Sequence, residues 1–159
     1  MGVQASSYYD ERALSLNLDE ITSSDHNAKI LRRLRDNDPY FLRLSIIQHD
    51  DDVFGEDYAF VVGEGDDLGW LGYFIGRNTK LHNLDITDMP EDREQITALF
   101  RGIEQNRSIQ YLYIEGDDLG ESVLSSLSAI LRSKSCSLTS LDLFRILSAT
   151  MWQWLWQMH

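Results

Sequence analysis

Three segments of the chain share one spacing of apolar residues. They are anchored at Leu81, Leu84 and Ile86, at Ile109, Leu112 and Ile114, and at Leu138, Leu141 and Leu143. Their first residues lie 28 and then 29 positions apart. Forty positions before Leu81, Phe41, Leu44 and Ile46 keep the spacing, and 28 before that Ala13, Leu16 and Leu18 do so again. Self-similarity at a fixed period means a fold assembled by stacking one supersecondary unit. Within each segment the last two apolar residues stand at i and i+2, which puts both side chains on one face of a strand.

A second pattern recurs between the segments. Leu71 and Ile75 precede Leu81 by 10 and 6 residues, and Leu99 and Ile103 precede Ile109 by the same intervals. Leu127 and Leu131 precede Leu138 by 11 and 7, the shift that one inserted residue requires. An i, i+4 apolar pair marks one buried face of a helix. Asp38, Asn78, Asn106 and Ser135 stand three positions before each strand segment. Asn and Asp tolerate the left-handed conformation common just after a helix, so these residues are expected to end the helices that way. Each unit reads as a short strand, a turn and a helix. The class is α/β, with parallel strands on one side and helices on the other.

This pattern resembles the leucine-rich repeat, and its 28/29-residue period with a full helix is similar to the ribonuclease-inhibitor class. Asp117, Asp118, Leu119 and Gly120 fit the turn after the strand, with Asp117 where that family usually has Asn. Asp66, Asp67, Leu68 and Gly69 repeat it, whereas Met89, Pro90 and Glu91 depart from it. The resemblance covers about residues 13–145. It implies a solenoid of four to five repeats with short parallel strands on the concave face and helices on the convex face. It also implies a non-catalytic scaffold for binding another protein, and it brings no catalytic residues and no cofactor.

Three regions fall outside the repeat. Residues 1–12 read as an N-terminal cap or a flexible start. An acidic insertion around 48–65 interrupts the repeat domain, and the apolar run from Tyr58 to Val62 within it reads as an extra strand. Residues 146–159 form an apolar, Trp-rich tail with no Lys, Arg, Asp or Glu. Trp152, Leu155 and Trp156 would share a helix face while Trp154 would point elsewhere. A cap over the last repeat is the first expectation for this tail, with homo-oligomer formation through the indoles and a truncated chain end as alternatives.

The strand residues between the anchors point to the open side of the sheet. That row comprises Ser15 and Asn17, Arg43 and Ser45, Asn83 and Asp85, Tyr111 and Tyr113, and Ser140 and Asp142. Ile47, Thr87, Glu115 and Phe144 lie one step further along. From it we take Arg43, Asn83, Asp85, Tyr111, Tyr113, Asp142 and Phe144 as the candidate partner-binding residues. Aromatics supply contact area at little rotamer entropy and are favoured anchors. The bland alternative is that tyrosine simply suits exposed strand positions.

Charge narrows the partners. The 159 residues carry 26 acids against 14 bases, a formal net charge of −12. Such a surface repels nucleic-acid phosphates and anionic membranes, so a protein partner is expected. Asp50, Asp51, Asp52, Glu56, Asp57, Glu64, Asp66 and Asp67 accumulate in a stretch free of Lys and Arg. Asp50, Asp52 and Gly55 partly imitate a calcium loop, but Phe54 and Val61 occupy positions where ligands belong, so no metal is expected. The stretch reads as a solvated loop, or alternatively as a docking patch for a basic protein or a cation. Asp66, Asp117 and their neighbours read as helix caps.

Enzyme chemistry finds little footing. His26, His49, His82 and His159 lack metal-binding spacing, and Gly63-Glu64-Gly65 is followed by acids that would repel phosphate. Cys136 is the single cysteine, so no internal disulfide can form. With Lys134 nearby its thiol could be activated, though a lone cysteine is commonly a small buried hydrophobe. No apolar run reaches the roughly 20 residues needed to span a bilayer. Gly2 and Ser6 resemble a myristoylation sequence without the polybasic second anchor. A cytoplasmic protein is the resulting expectation.

Overall fold

Four of the five apolar triads lead into strands, and the i, i+4 pairs between them become helices. The computed structural model describes residues 4–13, 15–48, 56–87, 92–116, 120–134 and 136–145. Along them run α1 (Gln4–Ala13), a 3-10 turn (Leu18–Glu20), α2 (Asp25–Arg35), β1 (Arg43–Ile47) and β2 (Ala59–Val61). Then follow α3 (Leu68–Arg77), β3 (Asn83–Thr87), α4 (Arg93–Gln105), β4 (Tyr111–Glu115), α5 (Gly120–Arg132) and β5 (Ser140–Phe144). The five strands form one sheet in the order β2-β1-β3-β4-β5, and every neighbouring pair is parallel. The fold is therefore mixed α/β with a five-stranded parallel sheet.

The anchors align across the sheet. Leu44, Leu84, Leu112 and Leu141 form one cross-strand row, and Ile46, Ile86, Ile114 and Leu143 form the next. Those of β1, β3 and β4 are 0–2% exposed, and they meet Leu71, Ile75, Leu99, Ile103 and Leu127 of the helices in one core. Burying each such side chain is worth about 1.5–3 kcal/mol, so the rows are the main source of stability.

Two hydrogen-bond devices repeat from unit to unit. At the start of β3, β4 and β5, two consecutive N–H groups donate to one carbonyl of the unit before it. His82 and Asn83 donate to Leu42 O, Gln110 and Tyr111 to His82 O, and Thr139 and Ser140 to Gln110 O. The second device is a pair of buried asparagines. Asn78 Oδ1 accepts from Lys80 N (2.8 Å) and Leu81 N (2.7 Å), and its Nδ2 donates back to Leu34 O (2.9 Å). Asn106 Oδ1 accepts from Ser108 N (2.7 Å) and Ile109 N (2.8 Å). Its Nδ2 donates to Ile75 O (2.6 Å) and Asn78 O (2.9 Å). Each amide thus closes the end of its own helix and fastens it to the preceding helix end, which satisfies backbone groups cut off from water.

These bonds correct one expectation from the sequence. Asn78 (φ −72°, ψ 136°) and Asn106 (φ −67°, ψ 145°) are extended, not left-handed. Asparagine is used there for its side-chain amide, which offers a donor and an acceptor together. The left-handed residue near Asp38 is its neighbour Asn37, at φ 52°.

Helices α3 and α4 approach backbone to backbone. A Cβ on Gly72 would lie 2.7 Å from Leu99 O, and one on Gly102 would overlap the Gly72 carbonyl. Only glycine allows helices this close.

The first expected unit is not a strand. Ala13 ends α1, Leu16 lies in irregular chain, and Leu18 opens the 3-10 turn, so Ser15 and Asn17 are not on the sheet. Asn17 takes a competing local bond, accepting from Asp19 N at 3.2 Å. The edge beyond β1 is filled instead by β2, the expected extra strand, which the chain order alone did not place outside β1. That placement moves Ile47 from the sheet edge to its interior. It is 7% exposed and does not belong to the open row.

Helix α2 closes the outer edge of β2. His26 Nε2 donates to Ala59 O at 2.8 Å. Asn27 Nδ2 donates to Val61 O (2.7 Å), and Asn27 Oδ1 accepts from Val61 N (3.2 Å). An edge strand with its free backbone groups taken cannot template another chain. Asp67 caps α3 by accepting from Gly69 N (2.9 Å) and Trp70 N (3.2 Å). Asp66 is not a cap, since it accepts from Gly63 N (2.8 Å) and Asn27 Nδ2 (3.0 Å).

The N-terminal segment forms helix α1. Tyr9 meets Trp70 edge-on at 4.7 Å and stacks on Tyr73 at 5.5 Å, while Asp10 accepts from Tyr73 Oη (3.0 Å) and pairs with Arg77. The expectations for Gly2, His49, Asp50, Asp51, Asp52, Phe54, Gly55, Met89, Pro90, Glu91, Asp117, Asp118, Leu119 and Ser135 lie outside the described residues. So do those for the tail 146–159. No helix among the described residues is long and apolar enough to cross a membrane.

Candidate functional site

The parallel register sets the outward residues in three rows. Arg43, Asn83, Tyr111 and Ser140 form the first, and Ser45, Asp85, Tyr113 and Asp142 the second. Thr87, Glu115 and Phe144 continue the third from the buried Ile47. All seven candidate residues lie on this face, because alternation along each strand sends them opposite to the buried anchors. They divide into two groups.

At the β1–β3 end, Arg43 donates from Nε (3.0 Å) and Nη2 (2.8 Å) to Asp85 Oδ2. Its guanidinium carbon stands 4.9 Å from the centre of the Tyr58 ring. The Asp85 carboxylate holds the Arg43 pKa above its ordinary value. Asn83 is half-buried between Arg43 and Tyr111 in the first row. This end is occupied by its own interactions, and the Arg43 charge is already matched.

At the β4–β5 end the face is more open. Tyr111 is 50% exposed and Phe144 54% exposed. Tyr113 is half-buried, and its hydroxyl donates to Glu115 Oε2 at 2.9 Å. That bond to a carboxylate raises the phenol pKa, because ionisation would give up the donated proton beside a negative charge. Asp142 is exposed opposite Tyr113. Glu115 also faces Arg145 Nη1 at 3.4 Å.

Two participants were not singled out from the sequence. Tyr58 was read only as part of an apolar strand, and Arg145 falls one residue past the last strand. Their spacing carried no signal, since both depend on where the chain enters and leaves the sheet.

Among the described residues the other candidates lie apart from one another. Glu56, Asp57 and Glu64 are exposed around β2, and no group of three or more potential metal ligands occurs among the described residues. Cys136 is half-buried and lines a crevice of ≈ 20 Å³ with Ile109, Leu112, Ile130 and Leu138. That is room for about one water and no substrate. His82 is half-buried just before β3. No protein-family model matches the chain, and no curated protein matches it significantly.

Proposed function

We propose that the chain is a leucine-rich-repeat-like solenoid of the ribonuclease-inhibitor class that binds another protein through the open, concave side of its sheet, without catalysis. The repeat reading is supported by the 28-residue period and by the carbonyl and asparagine bonds that recur between units. The observation that carries the functional reading is the exposure of Tyr111 and Phe144 on neighbouring strands, β4 with its opposite face buried and β5 with its opposite face partly buried against the same core. Large apolar rings left in water on a rigid frame are what a binding partner covers.

The test starts from a partner captured on the immobilised full chain and identified by mass spectrometry. Tyr113→Ala should then weaken binding by at least about 2 kcal/mol, the loss typical of a central anchor. Its melting temperature should hardly change, because the side chain leaves no cavity. Unchanged affinity in the folded variant removes this face as the site. A salt series separates it from docking on Glu56, Asp57 and Glu64. Binding through clustered carboxylates falls steeply with salt, and binding through rings falls little.

A further inference from the structure

The outward face already holds the Arg43 guanidinium, and the way it does so has a counterpart. Arg43 lies over the Tyr58 ring and bonds to Asp85, which sits two residues beyond Asn83, the register partner of Arg43. Asp142 sits two residues beyond Ser140, the register partner of Tyr111. The Tyr111–Asp142 pair therefore repeats the strand offset of Arg43–Asp85, with an aromatic ring standing where the arginine was. Ring and carboxylate are both present, and no cation lies between them among the described residues. Of the three outward carboxylates, Asp85 has Arg43 and Glu115 has Arg145. Asp142 is exposed and makes no ion pair among the described residues.

We propose that the β4–β5 half of this face is a subsite for an arginine side chain of a protein partner. Its guanidinium stacks on Tyr111 and bonds to Asp142, with Tyr113 and Phe144 covering the stem. Arginine fits better than lysine because its planar group can stack on a ring and reach a carboxylate at the same time. The net charge of −12 draws a cationic segment toward the chain. The proposal rests on the outward-face reading above and adds the chemistry of the partner.

The experiment titrates the full chain with a blocked Gly-Ser-Arg-Ser-Gly peptide and follows tyrosine ring resonances by NMR. Matched citrulline and lysine peptides run alongside. The arginine peptide should shift the Tyr111 and Tyr113 signals saturably, the lysine peptide more weakly, and the citrulline peptide not at all. Asp142→Asn, checked for an unchanged melting temperature, should weaken the arginine peptide about three- to tenfold. Glu64→Gln should leave it unchanged. Equal responses to arginine and citrulline, absent shifts, shifts centred on Glu56, Asp57 and Glu64, or indifference to Asp142→Asn each overturn the proposal. A captured partner that needs Tyr113 but tolerates Asp142→Asn would leave the face reading standing and remove the arginine subsite alone.

Discussion

On β4, Leu112 and Ile114 are 2% and 0% exposed, while Tyr111, one residue away, is 50% exposed. The same five residues thus face two environments. Inward side chains are held within the hydrophobic core that strands and helices share, so their identity is set by volume. Outward side chains are constrained only by the strand backbone and a few polar partners such as Glu115. On the function proposed above, stability and recognition reside on opposite faces, and a substitution on one should leave the other nearly untouched.

The largest expected effect tests the inward face. Leu112→Ala should destabilise by about 2–5 kcal/mol in chemical denaturation, because it opens a cavity among residues that cannot collapse into it. A cost below about 1 kcal/mol would mean that Leu112 is not where the register puts it.

A somewhat smaller loss should follow Asn106→Ala, about 2–3 kcal/mol, since Ile109 N loses its partner and Ile75 O and Asn78 O each lose one of their donors in a buried place. Hydrogen exchange should show the loosening at the ends of both α3 and α4. Protection lost in α4 alone would contradict the link between units.

The smallest effect lies on the outward face. Tyr113 titrates above its usual range because its proton is shared with Glu115. A raised folded pKa means that the bond supports the fold fully below the ordinary phenol range, near pH 10, and is lost as pH climbs through the raised value. Glu115→Gln should bring the Tyr113 titration back toward the ordinary value, read by ultraviolet absorbance. An unmoved titration would show that Glu115 is not the cause.

How much of this was legible in the sequence follows from the same division. The inward rows could be read directly, because burial leaves a periodic apolar signal at Leu84, Ile86, Leu112 and Ile114. The outward row could be read by alternation from them, apart from Ile47, which is buried although alternation sends it to the open side. The place of β2 outside β1 was hidden too, because its outer edge is satisfied by His26 and Asn27, more than thirty residues away in sequence. The asparagines were noticed at the right positions but given a backbone role. Their side-chain bonds reach the preceding unit, which no local pattern encodes. The glycine contact of Gly72 with Gly102 was missed for the same reason.

The separation of the two faces can be tested most directly by a cysteine scan of β4 in a Cys136→Ser background. Tyr111→Cys, Leu112→Cys, Tyr113→Cys and Ile114→Cys are each labelled with a thiol reagent under native conditions. Positions 111 and 113 should react readily, and positions 112 and 114 at least about tenfold more slowly, since reaching them requires local opening of the core. Equal labelling at all four positions, or protection at 111 and 113 instead, would contradict the account.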